Sequence, residues 1–189
     1  MWRVSLISLA AVSLCASAQQ QDSIAKVSGP LQAAVKTLSP RARVLQASEI
    51  DMRECESVPK TPGLVKADFN GDGFEDAAAL LVTHDSRETY VSEGVKYRKA
   101  TFLFVILLND GKGGYTTPTR DTFQGSIPGW SFLTLVPAPQ VIHGQEGKNL
   151  EERDLALQNP AVMLTFCSKG ASVYAVTGFK VRELLLLSE

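Results

Sequence analysis

The spacing of apolar positions changes along the chain and divides it into predicted elements. Leu31, Ala34, Val35 and Leu38 recur at intervals of three and four, the period of a helix with one buried face. Ser28 supplies an N-cap, Pro30 fits the first turn, and Ser39 followed by Pro40 stops the helix. Residues 42–50, with Val44, Leu45 and Ile50, suit a strand or a helix equally. Pro59, Pro62 and Gly63 mark a loop. Beyond it the pattern is mostly that of strands: an apolar approach at 64–67, a turn at 68–76 and an apolar exit at 77–82. Residues 87–99 carry Arg87, Glu88, Glu93, Lys96, Arg98 and Lys99, and read as a solvated hairpin tip. Residues 101–108 are continuously apolar and β-rich, which predicts a central strand covered on both faces. Asn109, Asp110 and Gly111 form a strong turn signal.

Further on, residues 130–136 predict a strand closed by Pro137 and Pro139, and residues 150–157 a short helix or a loop. Residues 161–166 and 172–177, joined through Ser168, Lys169 and Gly170, predict a closing hairpin. Residues 181–187 add one more strand. The expected fold is α+β and mostly β: one domain with an antiparallel sheet, a short N-terminal helix and a hairpin loop of calcium-binding type.

The beginning of the chain changes the picture. Arg3 is followed by an apolar run at 4–16, then by Ala16, Ser17 and Ala18, then by Gln19, Gln20 and Gln21. This is the layout of a secretory signal peptide, 1–18, cleaved after Ala18 to leave a single globular domain, 19–189. Cys15 follows Leu14, where a lipoprotein signal resembles a small residue before the cysteine, so ordinary cleavage is expected. The next longest apolar run, 102–108, falls far short of the about 20 residues a membrane span needs. The predicted location is periplasmic or secreted, with no membrane span after cleavage.

A 44% hydrophobic and 21% charged composition is that of a globular chain. The formal charge is −1, and losing Arg3 with the leader makes it −2. Without a basic excess to neutralise phosphates, nucleic acid is excluded as an expected partner. Export puts Cys55 and Cys167 in an oxidising compartment, which predicts a disulfide between them; two separate buried thiols are the alternative. Closing a loop of roughly a hundred residues contributes about 4–5 kcal/mol in the chain-entropy model.

The chemistry concentrates in residues 68–76. Asp68, Asn70, Asp72 and Asp76 follow the spacing D-x-N-x-D-G-x-x-D. Hard cations such as Ca²⁺ take six to eight oxygens in a flexible cage, and alternate positions of a tight turn can deliver several side chains to one point. Gly73 permits the bend, the carbonyl of Phe74 can add an oxygen, and Asp76 closes the ring. Three carboxylates this close repel one another without a cation. Ca²⁺ is favoured over Mg²⁺ because the ligands are many, mixed and on a turn. The first five ligand positions match a helix–loop–helix calcium loop, but the twelfth is Ala79 where a bidentate Glu is needed. Strands are predicted on both sides, so a strand–loop–strand calcium turn fits better. The competing reading is a turn without metal, because Asn70 with Gly71 and Asp72 with Gly73 are strong hairpin formers by themselves.

Residues 68–81, followed by 104–115 with their apolar strand, Asn109-Asp110-Gly111 turn and Tyr115, resemble one FG-GAP/VCBS-type repeat spanning about 64–116. The resemblance implies Ca²⁺ at Asp68, Asn70, Asp72, Phe74 (carbonyl) and Asp76. Such repeats come in tandem and build propellers of about four to eight blades. A single copy is present here, so a full propeller and the adhesion roles that go with it do not carry over.

No G-x-S-x-G, H-E-x-x-H, P-loop or G-x-G-x-x-G pattern occurs in the sequence. His84, after a strand, and His143, in a loop, read as surface residues. Trp130, Phe132, Tyr174 and Phe179 read as core. The expected function is that of an exported, non-enzymatic domain stabilised by Ca²⁺, serving as a binding or interaction module. The alternative is an inhibitor- or immunity-type binder of a protein partner in the cell envelope. A weaker third reading is a small hydrolase of glycan or phosphoester.

Overall fold

A computed structural model describes residues 29–55, 57–146, 150–167 and 169–186. The signal-peptide, Cys15 and Ser28-cap expectations lie outside these residues. Among the described residues no helix is long and apolar enough to cross a membrane.

Helix α1 (Gly29–Leu38) buries Leu31 and Val35 through its apolar stripe. It stops because the residue before Pro40 is disfavoured in helical geometry; the Ser39 N–H closes the last turn on the Val35 carbonyl at 3.0 Å. The ambiguous segment after it resolves into strand β1 (Arg43–Val44) and a single 3₁₀ turn, Ala47–Glu49.

The first sheet is β1, β2 (Leu64–Ala67), β3 (Asp76–Ser92), β4 (Val95–Asn109) and β5 (Tyr115–Ile127). Strands β1 and β2 share one edge of β3, pairing at Val44↔Leu81 and Leu64↔Ala79 respectively. They meet at Leu80, which accepts from the Leu45 N–H and donates to the Gly63 carbonyl. Gly63 is required at that seam: a Cβ there would lie 2.6 Å from the Leu45 carbonyl oxygen. The polar 87–99 segment is the far end of the β3–β4 hairpin, turned by Glu93 and Gly94 at φ 50° and 77°, the left-handed pair a two-residue hairpin loop needs.

The second sheet runs in the order β6 (Ser131–Val136), β9 (Ala161–Phe166), β10 (Gly170–Thr177), β11 (Lys180–Leu186), β7 (Gln140–Glu146) and β8 (Glu151–Leu157). Both sheets are antiparallel, and together they form a single domain without a closed barrel or propeller.

Alternation along the strands accounts for the layering. Phe102, Phe104, Ile106 and Leu108 of β4 join Ala78, Leu80 and Val82 of β3 in packing against Leu133, Val162, Leu164 and Val176 of the second sheet. The intervening Leu103, Val105 and Leu107 pack with Ala79 and Leu81 beneath α1. Strand β4 is therefore covered on both faces, as its unbroken apolar run predicts. A third cluster on the other side of the second sheet joins Leu155 and Leu157 to Ala161, Val173 and Leu184. The Cys55–Cys167 disulfide is present, with Cα atoms 5.1 Å apart and a sequence separation of 112, and it ties the loop before β2 to the end of β9.

Several expectations need correction. Of residues 150–157, all but the turn residue Leu150 form strand β8 and not a helix or loop, because Leu155 and Leu157 alternate inward while the backbone pairs with β7. His143 lies on strand β7, its Nδ1 2.6 Å from Asp154 Oδ1. Phe132 and Tyr174 are core, but Trp130 is 37% and Phe179 74% exposed. Two sheets, rather than one array of strands, make up the domain.

Candidate metal centre

The oxygen-rich segment connects β2 to β3, which pair in register down to Ala67↔Asp76. Gly71 and Gly73 take φ of 79° and 88° and bend the chain back on itself. Phe69, fully buried, anchors the loop in the inter-sheet core. The loop is thus a surface feature rooted in the largest cluster of the protein.

Its side chains fold over its own backbone. Asp68 Oδ1 accepts from the N–H groups of Gly71 (2.7 Å) and Asp72 (3.1 Å), and Oδ2 from that of Gly73 (2.8 Å). Asn70 Oδ1 accepts from the Asp72 N–H at 3.1 Å. Asn70 Nδ2 donates to Asp72 Oδ2 at 2.9 Å, and Asp72 Oδ1 accepts from the Phe74 N–H at 2.9 Å. These are Asx-type turns, the local chemistry that makes Asn and Asp turn formers.

Asp76 lies beneath this mouth with no solvent exposure. Its Oδ2 accepts from the Phe69 N–H at 2.9 Å and its Oδ1 from the Asn109 N–H at 2.8 Å. Burial pushes its carboxyl above the ordinary value; the two N–H groups oppose that shift, and the charges of Asp72 and Asp68 add to it.

Two further segments meet the loop. The Asn109 side chain donates to the Glu75 carbonyl at 3.2 Å, and the Phe74 ring lies over Gly111, where a Cβ would come within 2.4 Å of it. The amide of Asn159, between β8 and β9, rests on Gly71 so closely that a Cβ there would be 2.9 Å away. The Asn109 turn has its own closure, in which Asp110 Oδ1 accepts from the N–H groups of Lys112 and Gly114, both at 2.8 Å. These N–H groups hold the Asp110 carboxyl below its usual value.

Among the described residues, no three His, Cys, Asp or Glu side chains converge as a preformed metal cage. Asp68, Asn70 and Asp72 share the loop mouth, while both oxygens of Asp76 turn to backbone donors beneath it. A carboxylate offers about four lone-pair sites. Three N–H groups on Asp68, two donors on Asp72 and two on Asp76 leave acceptor capacity on every one of them. Oxygen donors of this kind are the class a hard cation takes, and the side chains that carry them here are not assembled into a cage.

A second polar cluster escaped the sequence reading. Buried Asp51 is gripped by the Arg53 guanidinium, with Nε at 3.0 Å from Oδ1 and Nη2 at 2.8 Å from Oδ2. The Tyr97 hydroxyl donates to the same Oδ2 at 2.8 Å. Arg53, then Tyr97, hold this carboxyl well below the ordinary range despite its burial. Asp51 and Tyr97 are too far apart in sequence for any local motif to reveal them.

No protein-family model, no curated protein and no solved structure matches the chain. The resemblance of residues 64–116 to an FG-GAP/VCBS repeat therefore stands on the residues quoted for it.

Proposed function

We propose that the protein is an exported, non-enzymatic domain that takes up Ca²⁺ through Asp68, Asn70, Asp72, the Phe74 carbonyl and Asp76, and is stabilised by it. The observation that carries this reading is the loop itself. It sets Asp68, Asn70 and Asp72 at one mouth over a fully buried Phe69 with Asp76 beneath them, and among the described residues the hydrogen bonds to these three carboxylates come from backbone N–H groups and the Asn70 amide, not from a cation. A divalent ion would offset that repulsion and tie the mouth to the core. Extracellular calcium sites can be weak, about 10⁻⁴–10⁻³ M, because the ion is abundant there.

Thermal melting in 10 mM Ca²⁺ and in EDTA tests this. Ligand linkage predicts a rise of about 3–8 °C with calcium for such affinities in a domain of this size. Asp72→Ala should remove the rise. A melting temperature indifferent to millimolar Ca²⁺ counts against the proposal.

A second reading, a binder of a protein partner, is favoured by the tip of the β3–β4 hairpin. There Val91 is 70% and Tyr90 44% exposed, both apolar surfaces on a projecting element.

A further inference from the structure

The packing between the two sheets is incomplete where β5 leads into β6. Near the end of β5 and the start of β6 lies a cavity of about 170 Å³ whose lining includes the rings of Phe102, Phe123, Phe166 and Trp130. The rings hold one another in place. Phe102 and Phe123 stack with centroids 5.4 Å apart, and Phe166 meets Phe123 edge-on at 5.7 Å. Trp130 is braced by Tyr97, edge-on at 6.4 Å, and Tyr97 is itself bonded to Asp51. Gly125 lets the Phe102 ring lie against the β5 backbone, since a Cβ there would be 2.8 Å from that ring. Of the described residues lining the cavity, only Lys169 carries a charge, and its ammonium stands 5.2 Å from the centre of the Trp130 ring.

These features restrict the occupant. An apolar cavity of about 150 Å³ accepts a molecule the size of benzene. Walls made of aromatic rings favour a flat apolar body that can meet them face-on or edge-on. The single positive charge favours an anionic end, and its contact with Trp130 leaves the ammonium's remaining donors for an acceptor. We propose that this cavity binds a small aryl carboxylate, with the ring among the aromatic walls and the carboxylate on Lys169. The site is separate from the 68–76 loop, and the inference does not depend on calcium.

Titration calorimetry on the full chain with benzoate, benzyl alcohol and acetate tests it. Benzoate should bind saturably with a dissociation constant of about 1 mM or below, within reach of so small a ligand. Benzyl alcohol, of the same shape but uncharged, should bind about fivefold more weakly, and acetate should not bind measurably. Lys169→Gln, a surface change, should lower benzoate affinity about fivefold and leave benzyl alcohol unchanged. Ser131→Phe, which adds bulk at another lining position, should abolish uptake of both. The proposal is overturned if benzoate shows no saturable binding at about ten times that concentration, if Lys169→Gln binds benzoate as wild type does, or if Ser131→Phe leaves binding intact.

Discussion

Asp51 and Asp76 are both carboxylates taken out of water, 6% and 0% exposed, but the protein holds them by different means. Asp51 has a guanidinium, a phenol and a backbone N–H on it, and its carboxyl is held far below the usual range. Asp76 has two backbone N–H groups and two neighbouring carboxylates, and its carboxyl is pushed up. A buried charge costs several kcal/mol unless it is paired. At Asp51 the fold supplies the counter-charge from its own sequence. At Asp76 the counter-charge would come from outside the chain, which is the physical content of the calcium proposal.

The largest way to break this contrast is Asp76→Ala. It leaves the buried N–H of Phe69 and the part-buried N–H of Asn109 without acceptors, at about 1–3 kcal/mol each. A total loss of about 3–4 kcal/mol in urea unfolding is expected, together with loss of any calcium response. A loss below about 1 kcal/mol would mean that water reaches both donors and that the closing position is not sealed.

Asp51→Asn comes next, at about 2 kcal/mol at neutral pH, because it exchanges charge-assisted bonds for neutral ones. The pH dependence sharpens the comparison. Asp51 binds its proton less readily folded than unfolded, so its stabilisation is complete above the ordinary carboxyl range near 4 and drains away as the pH falls below it. Urea midpoints measured from neutral pH down to about pH 3 should fall for the wild type and flatten in Asp51→Asn. An equally steep acid limb in the variant would show that other carboxylates set it.

Gly111→Ala is the mildest perturbation, at about 1 kcal/mol. It puts a side chain at φ 70° and forces the half-exposed Phe74 ring aside. Near-neutral stability for this variant, measured by the same unfolding curves, would show that the two neighbouring turns are independent.

What the sequence disclosed follows from what hydrophobic periodicity reports, namely which faces meet a core. Strand β4 is apolar at every position from 102 to 108 because helix and sheet cover its two faces, so it was legible at once. Strand β5 was not. It is the outermost strand of its sheet, much of its length is polar, and it carries Pro118 beside a register shift opposite Ile106 and Leu108. Proline is tolerated at such edges and bulges while it hides the strand from a pattern search. Strand β8 was obscured by its run of exposed charges, Glu151 to Asp154, and β7 by its few apolar positions, one of which, Val141, faces outward. The oxygen spacing of 68–76 and the cysteine pair were readable because each is carried by residue type and position. The approach of Asn159 to Gly71, and of Tyr97 to Asp51, depends on how distant strands come together, and no local signal encodes it.

One strand joins the two regions compared above. Tyr97, near the start of β4, touches Asp51, and Asn109, at its end, touches Asp76. Twelve residues of extended chain span about 40 Å, and the stretch between is locked on both sides. It acts as a strut: sites this far apart ordinarily respond to change independently, and its midpoint, Leu103, is where a single substitution would unsettle both.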